Sequence, residues 1–182
     1  METVGGDGPG GDELDEALAV SPLHDARSPV HAGLTTLQVA ASALATAERR
    51  FAFAALEAAQ RYLQETLLPT CRAEEATLFV AIDGLMGVAN SCHVMKAQHT
   101  TLMRMAGDYA QALDAARTAG DVTEFVQYLG PLLHGLYALA RAHLESEDEA
   151  YLGLLEAMLS SAQAEALAGA YESSAEQASS DD

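Results

Sequence analysis

Apolar residues recur at steps of three and four positions along four long segments of this chain. That spacing places them on one face of an α-helix, whereas strands need strict alternation, which no segment shows. The hydrophobic content of 49% consists largely of Ala and Leu, with only 5% aromatic residues, and this balance favours helices over strands. The sequence therefore predicts an all-α fold, arranged as an antiparallel up-down four-helix bundle with short connections.

Proline and glycine mark the expected ends and bends of these helices. The pairs Ser21-Pro22 and Ser28-Pro29 each combine an N-cap residue with Pro at the first helical position, so the first helix is expected to begin at one of them. Pro69 lacks a backbone N–H and is expected to bend the second helix. Gly120 predicts the end of the third helix, because glycine is the usual residue just after a helix.

The two ends of the chain differ in composition from its middle. Residues 1–20 are rich in Gly and acidic residues and are predicted to form a disordered tail, because they bury too little apolar surface to offset the entropy of ordering. Residues 21–160 are predicted to form the bundle. Residues 161–182 are predicted to form a short helix to about Tyr171, followed by a polar tail.

The formal net charge of −18 narrows the range of partners. A surface this negative repels phosphate backbones and anionic lipid headgroups, so binding to nucleic acid and to membranes is not expected. No apolar run is long enough to span a bilayer, and the first residues do not resemble a signal peptide. Cys71 and Cys92 form no spaced disulfide framework. These features predict a cytoplasmic protein with reduced thiols.

A His-x-x-x-Glu pair, His143 and Glu147, lies within the fourth helical segment. Residues four apart on a helix project side by side, so the imidazole and the carboxylate are placed as a metal ion requires from one helix. Such a pair also occurs by chance on solvated helix surfaces. Its interpretation as a metal site depends on further residues elsewhere in the chain.

The two halves of the chain repeat this pattern. His31 and His99 occupy matching places on the first and third helices, each followed by apolar residues at the same offsets, and Glu74 matches Glu147 in the same way. At the place that corresponds to His143, the first half has Thr70. The halves therefore read His31 … Thr70-x-x-x-Glu74 and His99 … His143-x-x-x-Glu147.

This arrangement resembles that of the hemerythrin-like, or HHE cation-binding, family, in which His … His-x-x-x-Glu occurs twice across a four-helix bundle. The similarity extends to the segments around Leu67-Leu68-Pro69, Met95-Lys96-Ala97-Gln98-His99 and Gly135-Leu136-Tyr137-Ala138. The resemblance implies a metal centre that binds two irons between imidazole ligands and bridging carboxylates. The ligands it implies are His31, Glu74, His99, His143 and Glu147.

Thr70 departs from the family pattern, because a hydroxyl group is a poor ligand for iron. Three outcomes follow for the subsite that lacks an imidazole. Water completes it, a neighbouring side chain replaces the imidazole, or the centre is degenerate and holds one metal ion or none. The candidate replacements are Cys71, Glu75 and His24. Asp148, next to Glu147, is expected to face away from the centre as a solvated charge.

The expected function is that of a non-haem metal-binding protein, with di-iron as the leading option and mononuclear iron or zinc as alternatives. Its open position would bind or sense O₂, nitric oxide or peroxide. No residue stands out as a general acid or base, so a binding or sensor protein is favoured over an enzyme, with weak oxidase or peroxidase activity as a variant. A metal-free or mononuclear helical module that binds an unknown protein partner, or a second copy of the chain, is the alternative.

Overall fold

The computed structural model describes residues 21–46 and 49–180, and within these ranges every regular element is helical. The first helix has two segments, α1 and α2, and three further long helices complete a bundle, as predicted. A fifth helix, α6, packs on α1 and α3. The elements are α1 (Ser21–Gly33), α2 (Thr35–Thr46), α3 (residues 49–86), α4 (His93–Ala119), α5 (residues 126–158) and α6 (Ser161–Ser180). The tail expected at residues 1–20 lies outside the described residues.

The first helix is interrupted between α1 and α2, where the ring of Tyr62 packs against Gly33. A Cβ atom at Gly33 would lie 2.2 Å from that ring, so only glycine fits there. The N–H of Leu34 bonds to the carbonyl of His31 rather than to that of Val30. The Tyr62 hydroxyl donates a hydrogen bond of 2.8 Å to the Val30 carbonyl that this leaves free. The break therefore replaces a helical hydrogen bond by a tertiary one.

Helix α3 continues through Pro69 with the help of a π-helical turn, Leu63–Leu67, just before it. Pro69 cannot donate to the carbonyl of Glu65, one turn earlier. The hydroxyl of Ser179, at the far end of α6, donates to that carbonyl at 3.1 Å. The bend predicted at Pro69 thus takes the form of a wider turn, and it supplies an anchor for α6.

Helix α6 is longer than the sequence predicts. The expected polar tail after Tyr171 is helical as far as Ser180. Ala164, Ala168 and Tyr171 lie on one face and are buried, and Arg72 of α3 donates a hydrogen bond of 3.2 Å to the Ala178 carbonyl. The contacts of Ala178 and Ser179 with α3 hold the part of the helix that follows Tyr171.

The interior contains two apolar clusters with a polar layer between them. Glu74 lies on α3 between Cys71 of the larger cluster and Leu78 of the smaller one, and His99 lies between Met95 and Leu102 of the two clusters in the same way. The bundle thus brings the inward-facing polar residues to one level. In the part of the chain that the structure describes, no helix is long and apolar enough to span a membrane.

The packing of α6 can be tested at Tyr171, which is 3% exposed. Tyr171→Ala is expected to lower the free energy of unfolding by about 3 kcal/mol, because a large buried side chain is lost. Tyr171→Phe should cost less than about 1.5 kcal/mol, because the buried ring is kept and the volume hardly changes. Tyr128→Ala, at an exposed position, is the control and should change stability by less than about 0.5 kcal/mol. Equal effects of the two alanine variants in urea denaturation would contradict this packing.

Candidate metal centre

Four fully buried side chains converge in the polar layer: Glu74 from α3, His99 from α4, and His143 and Glu147 from α5. One ligand atom of each lies within 4.8 Å of the others. His143 and Glu147, four residues apart on α5, thus meet one side chain from α3 and one from α4. Four of the five side chains expected at the centre are therefore brought together.

The two imidazoles present their Nε2 atoms to each other and are held from behind at Nδ1. The Nε2 atoms of His99 and His143 are 2.9 Å apart. His99 Nδ1 lies 2.8 Å from a carboxylate oxygen of Glu75, and His143 Nδ1 lies 2.9 Å from the amide oxygen of Gln98. Because a carboxylate only accepts, His99 donates from Nδ1 and its Nε2 lone pair faces the centre. With its amide oxygen turned to His143, Gln98 accepts a hydrogen bond from Nδ1, so the Nε2 lone pair of His143 faces the centre as well.

The carboxylates complete the donor group. Glu74 Oε2 lies 3.3 Å from His99 Nε2 and 3.7 Å from His143 Nε2, and Glu147 Oε2 lies 3.4 Å from His143 Nε2. Glu74 Oε2 and Glu147 Oε1 are buried without a hydrogen-bond partner. Buried acceptors that face one another without a donor are costly, and a cation among them would satisfy all of them.

Both carboxylates lie at the start of a π-helical turn. Glu74 is the first residue of the turn Glu74–Leu78 in α3, and Glu147 immediately precedes the turn Asp148–Leu152 in α5. A π turn adds a residue to the helical repeat and changes the direction of nearby side chains, a feature often found at functional sites. The two halves of the bundle therefore repeat the local backbone form as well as the sequence pattern.

A fifth buried polar side chain, Arg27 of α1, lies beside these four, and the sequence pattern did not predict it. Its side chain is 1% exposed and reaches three carboxylates. Its Nε lies 3.3 Å from Glu74 Oε1, its Nη2 2.6 Å from Glu147 Oε2, and its Nη1 2.6 Å from Asp148 Oδ1. The guanidinium thus pairs with both carboxylates of the cluster.

The pKa values of these groups depart from their usual ranges in different directions. Burial favours the neutral form of Glu74, but the contacts with the two imidazoles and the charge of Arg27 outweigh it and lower the pKa of this carboxyl. Burial and the negative charge of Glu74 raise the pKa of Glu147 well above its usual value, against the effect of Arg27. Burial lowers the pKa of His143, which keeps its imidazole neutral. The carboxylates around Arg27 raise the pKa of the guanidinium despite its burial, so it stays charged.

These donors fit a single transition-metal ion. Two neutral imidazoles and two carboxylates form the mixed N/O set that iron and zinc accept. The partners at Nδ1 are the outer groups that usually orient histidine ligands of metals. Among the described residues, no second group of this kind accompanies the first.

The remaining predicted site residues lie apart from this cluster. His31, one turn after Arg27, is 38% exposed, with its Nε2 3.4 Å from Asp148. The expectation that all five groups meet is therefore wrong for His31, because Arg27 on the same face of α1 reaches the centre instead. His24 is exposed.

None of the candidate replacements at the second subsite joins the donor group either. Thr70 is buried and lines a groove together with Tyr171 of α6. Cys71 packs in the larger apolar cluster, and burial raises the pKa of its thiol. Glu75 contacts the outer nitrogen of His99 rather than the centre.

Three residues that participate were missed or misjudged. Asp148 was expected to face solvent, but it is only 30% exposed and pairs with Arg27, because the π turn that begins there changes its direction. Gln98 directly precedes His99, and its role depends on the neighbouring helix α5. Arg27 is one of only nine basic residues and precedes His31 by one helical turn, which was a usable signal.

Comparison with known families supports the same interpretation. Residues 30–155 match the model of the hemerythrin HHE cation-binding domain, and these residues include all four side chains of the cluster but neither Arg27 nor α6. Searches of the curated proteins and of the solved structures found no significant match. Because the matched residues make up more than half of the chain, this protein belongs to the hemerythrin HHE cation-binding domain family.

Proposed function

We propose that this protein binds iron at the cluster of Glu74, His99, His143 and Glu147, and that the bound ion takes O₂, nitric oxide or peroxide as a ligand. The observation that carries this proposal is the convergence of imidazole nitrogens and unpaired carboxylate oxygens in one buried layer. Mixed imidazole and carboxylate sites with open positions are typical of non-haem iron. An iron ion held there would supply an open coordination position for a small ligand.

The surrounding side chains support a rigid and dry site. Phe79 stacks on the ring of His99 with centroids 5.4 Å apart, and Tyr151 contacts Phe79 at its edge. Glu75 and Gln98 fix the imidazole orientations from outside. Apolar clusters on both sides exclude water and competing polar groups.

The chemistry of the residues favours binding over turnover. The ionisable groups of the centre are tied to one another or to Arg27, and no free acid or base stands beside the donor group in the described residues.

A groove of about 790 Å³ between α1, α3 and α6 is lined by Thr70 and Tyr171, and Thr70 lies one turn before Glu74. The groove offers a place for a small ligand to approach the bundle beside Thr70.

A second candidate function is that of a metal-free helical module with an interaction role. The ion pairs of Arg27 favour it, because they neutralise part of the buried charge without a metal. In this case the Nε2–H of His143 would donate a hydrogen bond to Nε2 of His99. The Gln98 amide would be rotated so that its NH₂ group donates to Nδ1 of His143. The two candidates differ in whether the cluster takes up a metal ion.

Metal uptake is the test of the proposed function. Protein incubated with Fe²⁺ under nitrogen and freed of excess metal should retain iron, and exposure to air or nitric oxide should change its absorption spectrum. His143→Ala should lose the metal, because one of two imidazole ligands is removed. It should also lose the rise in melting temperature that metal gives the wild type.

His134→Ala is the matched control, since His134 is exposed on the same helix. It should retain metal as the wild type does. Wild-type protein without bound iron would overturn the proposed function and favour the metal-free module. Equal metal content in the two variants would overturn the assignment of His143.

The outer contact at His99 gives a separate prediction. Glu75→Ala is expected to weaken metal binding by about 10- to 100-fold, because the partner that orients the imidazole is lost. Glu149→Ala removes the same charge from an exposed position and is the control. A competition titration with a chelator of known affinity measures both. Equal affinities of the two variants would show that Glu75 does not position His99.

A further inference from the structure

We propose that the guanidinium of Arg27 takes the place of a second metal ion, so that the centre of this chain binds one metal rather than two. This inference rests on the proposed function and specifies it. The family match covers residues 30–155 and does not include Arg27. The contacts of Arg27 carry the inference.

Glu74 divides its two oxygens between two kinds of partner. Its Oε1 lies 3.3 Å from Arg27, and its Oε2 faces the imidazole pair, 3.3 Å from His99 Nε2. A carboxylate that bridges two metal ions divides its oxygens in the same way. Here one of the two positive partners is a side chain of the protein itself.

The side chains that would build a second subsite are directed elsewhere. His31 contacts Asp148 and is partly exposed, and Thr70 lines a groove with Tyr171 instead of joining the donor group. The space beside the two carboxylates is filled by the guanidinium, which lies 2.6 Å from Glu147 Oε2. A second ion beside Arg27 would therefore find no imidazole, and the carboxylate oxygens there, Glu74 Oε1 and Glu147 Oε2, are already paired with the guanidinium.

The charge of the carboxylates that Arg27 contacts also fits one ion. Glu74, Glu147 and Asp148 can carry three negative charges when all are ionised. Arg27 neutralises one of them, and a single divalent ion neutralises the other two. A second divalent ion would leave excess positive charge inside the bundle, where an unpaired charge costs much free energy. Arg27 therefore sets the number of metal ions through both space and charge.

The number of bound ions tests this inference. The wild type is titrated anaerobically with Fe²⁺ and, separately, with Zn²⁺, and the metal-to-protein ratio is measured by elemental analysis after gel filtration. We expect one ion per chain. Thr70→His alone should leave the ratio at one, although the sequence pattern by itself predicts a gain from this change. Arg27→Ala combined with Thr70→His should raise the ratio to two.

A metal-free readout tests whether Arg27 neutralises the carboxylates. In the presence of a chelator, Arg27→Met should lower the melting temperature by about 10 °C, because it leaves buried carboxylates without their cation. Arg104→Met is the matched control, since Arg104 is exposed and its ion pair is with Asp108 of the same helix. It should change the melting temperature by only about 1–2 °C.

The outcomes separate this inference from the proposed function. Two ions in the wild type or in Thr70→His would overturn the inference and leave the proposed function intact. One ion in the double variant would also overturn it, because Arg27 would then not be what excludes the second ion. Equal melting temperatures of the two methionine variants would overturn the neutralising role. No metal in any of these proteins would overturn the proposed function itself.

Discussion

The ion pairs of Arg27 are the interaction on which the interior of this bundle depends. Two carboxylates and two imidazoles lie fully buried between apolar clusters, a combination that costs free energy unless the charges are paired. Arg27 meets both buried carboxylates and joins them to Asp148. It therefore ties α1 to α3 and α5 at the level of the cluster. Its contacts leave Glu74 Oε2, which faces the imidazoles, and Glu147 Oε1 without a hydrogen-bond partner and therefore free for a cation.

The π-helical turns beside Glu74 and Glu147 explain how long helices bring these two carboxylates to one point. In a regular helix, the direction of Glu74 would be fixed by the packing of the apolar residues around it. The wider turns, Glu74–Leu78 and Asp148–Leu152, allow the apolar residues on both sides to stay in the core while the carboxylates and Asp148 turn toward Arg27. The π-helical turns thus interrupt the regular α-helical hydrogen bonding at the positions where the polar layer needs its carboxylates.

Helix α6 closes the bundle on the side where the family pattern lacks an imidazole. Tyr171 covers Thr70, and Ser179 bonds to the carbonyl that Pro69 leaves free. The residue that departs from the family pattern is thus part of an interface with a helix outside the family match.

The sequence was enough to predict the helices, the bundle and the identity of four clustered side chains. Periodicity fixes which residues face inward, and the repeated His-x-x-x-Glu pattern fixes which of them carry metal-binding chemistry. It could not decide between Arg27 and His31, because residues one turn apart on α1 share a face, and only the axial position of α1 selects which one reaches the polar layer. Nor could it assign Asp148, whose direction depends on a local π turn, or the length of α6, which depends on contacts with α3. These features were decided by tertiary structure, because side-chain depth and helix ends are set by packing between helices that are distant in the sequence.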